Sequence, residues 1–132
     1  MLATSAGYEF EVDRGPDWLW IRVRAAHGGD WRNASLADEI KEVIEKHFTY
    51  RIVLELTHLP KLSGNVVLSS KLIGELVQVN QYIHAHDGVL RIYGLSAENR
   101  AILEVCSLDD ICLAYHTREE AIWGSCDPHL PR

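Results

Sequence analysis

The chain has 132 residues, 47% of them hydrophobic, which suits one compact domain and leaves little room for a second core. A formal net charge of −6 argues against a nucleic-acid surface, because binding a phosphate backbone needs clustered Lys and Arg that this sequence does not show, so protein partners are expected instead. No run of about eighteen apolar residues offers a membrane span, and Met1–Gly7 lacks the basic start and apolar run of a secretory signal, which predicts a cytoplasmic protein.

Residues 1–7 are expected to be flexible. Tyr8-Glu9-Phe10-Glu11-Val12 and Trp18-Leu19-Trp20-Ile21-Arg22-Val23-Arg24 both alternate, and the breaker Gly15-Pro16-Asp17 between them predicts a β-hairpin. Residues 26–33 read as a loop. Ser35, with Asp38 three residues on, resembles a capping box opening a helix whose apolar face is Leu36, Ile40, Val43, Ile44 and Phe48.

Ile52-Val53-Leu54-Glu55-Leu56 has the low polar content of a central strand, and residues 59–65 form a loop in which Ser63-Gly64 is a turn signal. Beyond it, Leu72, Ile73, Leu76, Val77, Asn80 and Ile83 step by three and four, predicting a helix that ends at His86-Asp87-Gly88. Val89–Tyr93 is the next strand, so this unit has the length of a parallel crossover. Ser96 caps a helix over Ala97–Val105, with Ile102, Leu103 and Val105 as its apolar contacts. Cys112–Tyr115 is a short strand, and Thr117-Arg118-Glu119-Glu120 is a capping box for a last helix through Trp123, stopped by Gly124 and Pro128. Residues 124–132 are expected to be a flexible tail.

Two hydroxyls, Ser69 and Ser70, fall where the second helix begins. A helix N-terminus carries unpaired N–H groups and a partial positive charge, so it accommodates an added phosphate well, which suggests a serine switch. Other chemistry is poorly supported. Cys106, Cys112 and Cys126 lack C-x-x-C spacing, so no disulfide framework or zinc site follows, and Cys106 and Cys112 read as core residues. His84 and His86 are two apart, which separates them on a helix surface, and no metal or cofactor is expected. There is no Gly-x-Ser-x-Gly elbow and no Gly-rich phosphate loop, so enzymatic activity is not expected. Trp18 and Trp20 share one strand face. Either that face is the buried one, as the bulk of the rings favours, or Ile21 and Val23 take the core and the tryptophans form an exposed or dimerising patch.

Strands alternating with helices predict an α/β fold, and over about residues 8–123 the sequence resembles a STAS domain, the fold of anti-sigma factor antagonists and of the cytoplasmic ends of sulfate transporters. Two stretches carry the resemblance: Ile52–Leu56 followed by Leu68–Val77, and Leu103–Ile111 followed by Thr117–Ile122. It implies a mixed four- to five-stranded sheet with about four helices packed against it. In that family an Asp-Ser pair opens the second helix, and the serine is phosphorylated by a partner kinase. Here Ser69 takes the Asp position, Ser70 that of the phosphorylated serine, and Lys71-Leu72 replaces small residues, with Gly74 and Leu76 in register.

Ser69 can replace Asp as an N-cap, but the acidic charge is lost. A phosphate on Ser70 rather than Ser69 would add about −1.5 to −2 charges beside Lys71 and the helix dipole. The resemblance therefore implies a regulator, monomeric or weakly dimeric, that binds an anti-sigma factor or serine kinase through Thr57, His58, Ser69, Ser70, Lys71, Ile73 and Gly74. The alternative is a STAS scaffold or ligand-binding module, for example transporter-associated, that is not phosphorylated.

Overall fold

The computed structural model of the chain describes residues 2–4, 7–15, 18–26, 34–60, 64, 67–105 and 113–115. Six strands form one sheet: β1 Leu2–Thr4, β2 Tyr8–Arg14, β3 Leu19–Ala25, β4 Arg51–His58, β5 Val89–Tyr93 and β6 Leu113–Tyr115. They lie side by side in chain order. β1, β2 and β3 are antiparallel neighbours, whereas β3, β4, β5 and β6 run parallel. A parallel return needs a crossover, and the first three parallel strands are separated by α1 Leu36–His47 and α2 Ser70–Ala85, with α3 Ala97–Val105 before β6.

The helices share one face of the sheet. Leu36, Ile40 and Ile44 of α1, Leu76 and Ile83 of α2 and Leu103 of α3 join a single core with Phe10, Ile21, Leu54 and Ile92 from the strands. Each of the larger of these side chains contributes about 1.5–3 kcal/mol by leaving water. β4 is the central parallel strand, and residues 52–56 are all buried, as its apolar composition predicts. No helix among the described residues is long and apolar enough to cross a membrane.

The hairpin, both crossover strands and the three helix starts fall where the sequence puts them. Several details differ. The sheet has six strands rather than four or five, because the N-terminal segment expected to be flexible contributes β1, paired along the edge of β2. Three helices are present among the described residues; the expected fourth, the three cysteines and the tail lie outside them. Phe48 is not part of the α1 face. It caps the helix in the left-handed region, φ 52°, with its N–H donating to Ile44 O, and this turns the ring outward to 82% exposure. Val105, at the end of α3, is exposed as well. On α2, Val79 rather than Val77 is fully buried, on the stripe it shares with Leu72, Leu76 and Ile83.

The tryptophan face is the larger correction. Leu19, Ile21 and Val23 take the core, and Trp20 points to the opposite side of the sheet. Trp20 is still buried there, with Val53, under half-buried Trp18 and Tyr93.

The close of α2 onto β5 depends on Gly88, whose N–H donates to Ile83 O at 2.9 Å. A Cβ at this position would lie 2.0 Å from Tyr50 O and 2.6 Å from Tyr50 Cβ. Backbone cannot yield locally, so Gly88→Ala is expected to cost about 2–3 kcal/mol, seen as a lower midpoint in denaturant-induced unfolding with little change in its slope.

Candidate functional site

Parallel strands joined by helices send every helix start to the same edge of the sheet, beyond the carboxyl ends of β3, β4 and β5. At this edge three serines terminate three helices. Ser35 Oγ accepts from Asp38 N at 3.3 Å, Ser69 Oγ accepts from Leu72 N at 3.1 Å, and Ser96 Oγ accepts from Asn99 N at 3.4 Å. Each hydroxyl answers an N–H that the helix itself cannot pair.

Ser69 has extended backbone, φ −92° and ψ 166°, and its carbonyl accepts the first α2 hydrogen bond from Ile73 N at 2.9 Å. Ser70 is therefore the first residue of α2, and it is exposed. The first turn of α2 contains no acidic residue. Its one charge is Lys71, whose Nζ donates to Ala34 O at 2.6 Å, reaching across to the chain that enters α1. Ile73 is half-buried and Gly74 is exposed one turn on.

Two buried polar residues, neither singled out by the sequence, hold this helix start in place. Glu75, on the second turn of α2, accepts from Ala37 N at 3.0 Å and from Ser35 Oγ at 3.3 Å, so its carboxylate completes the cap of α1. Asn99, on α3, accepts through Oδ1 from Val67 N at 2.9 Å and Leu68 N at 3.3 Å, and its Nδ2 donates to Ser96 Oγ at 2.7 Å. The segment leading into Ser69 is thus pinned to α3, and the turn following it is pinned to α1. A signal existed for Glu75: it falls beside Leu72 and Leu76 on the covered stripe, where a carboxylate demands a partner.

Tyr8 adjoins this cluster. Its N–H donates to Glu39 Oε1 at 3.3 Å, and its hydroxyl is pushed up from 10.0 to about 12, first by burial and then by the charges of Glu75 and Glu39.

Thr57 and His58 end β4, and both are exposed. Thr57 packs against Gly94, where φ is +92° and a Cβ would come within 2.1 Å of Thr57 Oγ1, so only glycine fits. His58 turns elsewhere. Simple alternation would set it on the side of Leu56, but the β3–β4 register shifts between Arg22 and Arg24. The shift pairs His58 with Arg24 and leaves its Nε2 4.0 Å from Glu55 Oε2, in a groove lined by Glu11, Arg22 and Arg24 on the sheet's other face. The geometry therefore groups Ser69, Ser70, Lys71, Ile73, Gly74 and Thr57 at the helix-start edge and removes His58 from that group.

No protein-family model matches the chain, and no match was found among curated proteins. Solved structures do resemble it. The NMR structure of the protein TM1081 superposes with a TM-score of 0.64 at 18% identity, covering 86% of this chain and 85% of that one. A crystal structure of the same Thermotoga maritima protein, described as a candidate anti-sigma factor antagonist, gives 0.61 at 17% identity, covering 86% of this chain and 91% of that one. An anti-sigma factor antagonist from Mycobacterium paratuberculosis gives 0.66 at 15% identity, covering 96% of this chain and all of that one. The chain shares the fold of these structures, two of them described as anti-sigma factor antagonists.

Two measurements probe this edge. Ser69→Ala removes an N-cap and is expected to cost about 1 kcal/mol, whereas Glu75→Ala strands a buried N–H and is expected to cost about 2 kcal/mol in thermal unfolding. For Tyr8 the folded value lies above the unfolded one, so its contribution is complete below pH 10 and is lost as pH rises toward about 12. Ultraviolet titration should show Tyr8 ionising late, and Glu75→Gln should bring that ionisation down, because it removes one of the charges opposing it.

Proposed function

We propose that the protein is a cytoplasmic regulatory binding protein of the anti-sigma factor antagonist kind. Its partner, an anti-sigma factor or serine kinase, docks on the edge where the three helices begin, and phosphorylation of Ser70 releases it. The observation that carries this reading is the position of Ser70: exposed, first in α2, and set on backbone held from both sides by Glu75 and Asn99. A kinase can reach such a hydroxyl. The neighbouring N–H groups and the dipole of α2 tolerate the phosphate, so the added charge changes the surface and leaves the fold intact. The likeness in fold to anti-sigma factor antagonists supports the same reading.

The partner-facing set is Thr57, Ser69, Ser70, Lys71, Ile73 and Gly74. These residues combine hydroxyls, a cation and a small apolar step, and offer no nucleophile–base pair for catalysis. A phosphate at Ser70 would weaken docking by like-charge repulsion against an acidic partner surface and by the cost of desolvating the new charge.

A second reading has its own observation. The first turn of α2 has no carboxylate, and Lys71 is engaged with Ala34 O, so a kinase that orients on an acid beside the serine finds none. In that case the same edge binds a protein or small ligand without switching.

Binding assays separate the two. Ser70→Asp is expected to weaken the partner at least about tenfold, or roughly 1.4 kcal/mol, while Ser70→Ala stays within about threefold of the parent. Mass spectrometry after co-expression with kinases of the native host should find phosphate on Ser70. Equal affinities for both variants would remove the switch and leave the docking role.

A further inference from the structure

Asn99 is the third residue of α3 and only 2% exposed, so no docking partner touches it. A polar side chain at this place in a helix can turn back and cap its own first turn. This one also reaches across to another segment. Its Oδ1 accepts from Val67 N at 2.9 Å and from Leu68 N at 3.3 Å, residues that precede it in the chain by 32 and 31 positions.

The two N–H groups it receives belong to neither a helix nor a strand, and Leu68 is buried. A buried N–H outside regular structure needs a side chain or a water to pair it. Asn99 supplies that pairing one residue before the cap Ser69 and two before Ser70. The Nδ2 of the same amide donates to Ser96 Oγ at 2.7 Å, so the side chain is itself held at the start of α3.

We infer that Asn99 is a positioning residue for Ser70, setting from α3 the rate at which a kinase seated on the folded edge transfers phosphate to that hydroxyl. This rests on the reading of Ser70 as the phosphorylated residue. In the transfer, with ATP as the donor, Ser70 Oγ forms the new O–P bond, the γ-phosphorus parts from its bridging oxygen, ADP leaves and the hydroxyl proton is released. Attack requires the oxygen within about 3–3.5 Å of phosphorus and in line with the leaving group. One rotatable bond separates Ser70 Oγ from the backbone, so its place is the backbone's place. With the approach at Val67 and Leu68 unpinned, each encounter would have to arrest it, and fewer encounters would be productive.

The requirement is for an acceptor at this point. Asn99→Asp keeps an oxygen facing Val67 and Leu68; the first turn of α3 favours a carboxylate, and the Ser96 hydroxyl can turn its proton toward it. Asn99→Leu keeps the number of side-chain atoms and removes the acceptor.

The test uses full-length parent and variants incubated with ATP and cytosolic extract of the native host, with phosphate on Ser70 followed by mass spectrometry and backbone amide exchange by NMR. In Asn99→Leu the Leu68 amide should exchange at least about tenfold faster than in the parent. Its initial rate of incorporation at Ser70 should fall at least about fivefold, while Asn99→Asp stays within about twofold of the parent. Gly88→Ala, which destabilises the far end of α2, should also stay within about twofold, separating position from loss of stability. Incorporation unchanged or faster in Asn99→Leu, or an equal fall in Asn99→Asp or in Gly88→Ala, would overturn the inference and leave Ser70 as the acceptor. No phosphate on Ser70 of the parent would remove the reading beneath it, and the inference with it.

Discussion

The arrangement at the candidate site depends on one buried carboxylate. Glu75 leaves water on the covered side of α2, a placement that costs several kcal/mol unless its oxygens find donors. It finds them on another helix: the Ala37 N–H, which α1 cannot pair, and the Ser35 hydroxyl. The positive end of the α1 dipole lies at the same point, so the carboxylate is stabilised by what α1 leaves unsatisfied. The exchange fixes both the axial offset and the rotation of α2 against α1. A slide by one residue would leave an orphan N–H and an unpaired charge together. Lys71 Nζ on Ala34 O supports the same register from the exposed side, and the Tyr8 hydroxyl is pushed up first by burial and then by this charge and that of Glu39.

Because Glu75 and Ser70 share one helix, holding the first holds the second. Ser70 is exposed, yet its backbone has little freedom: Asn99 ties the approach at Val67 and Leu68, Ser69 closes the first turn, and Glu75 anchors the next. A flexible serine would lose ordering entropy on meeting a partner; this one has lost it already, on folding. The fixed placement of an exposed hydroxyl suits recognition by shape.

Much of this was legible in the sequence, for identifiable reasons. The hairpin is written in the alternation of Tyr8–Val12 and Leu19–Val23, and the helix starts in Ser35, Ser69 and Ser96, each with a short-range mechanism. What was not legible is relational. Glu75's place on the covered stripe marks it as needing a partner, but neither that partner nor the role of Asn99 can be read until α1 and α3 are set beside α2. Phe48 misled because its spacing continues the α1 face, while the chain must leave the helix there through a left-handed residue. His58 moved because a register shift in β3–β4 cannot be read from β4 alone.

The tryptophans show how size can mislead where alternation does not. Bulk argues for placing Trp18 and Trp20 in the main core, yet the sheet face under the described helices is packed by the branched aliphatics Leu19, Ile21 and Val23. The indole of Trp20 instead meets the requirement of the other face: its Nε1 donates to Glu55 Oε1 at 2.9 Å, and its ring lies 5.6 Å from that of Tyr93. Glu55 also takes part of the charge of Arg22, whose guanidinium, despite the burial that opposes it, is pushed up by the hydrogen bond to Glu11 and the charges of Glu55, Asp13 and Glu11. Side chains on this face are thus joined into an ordered surface of rings and paired charges.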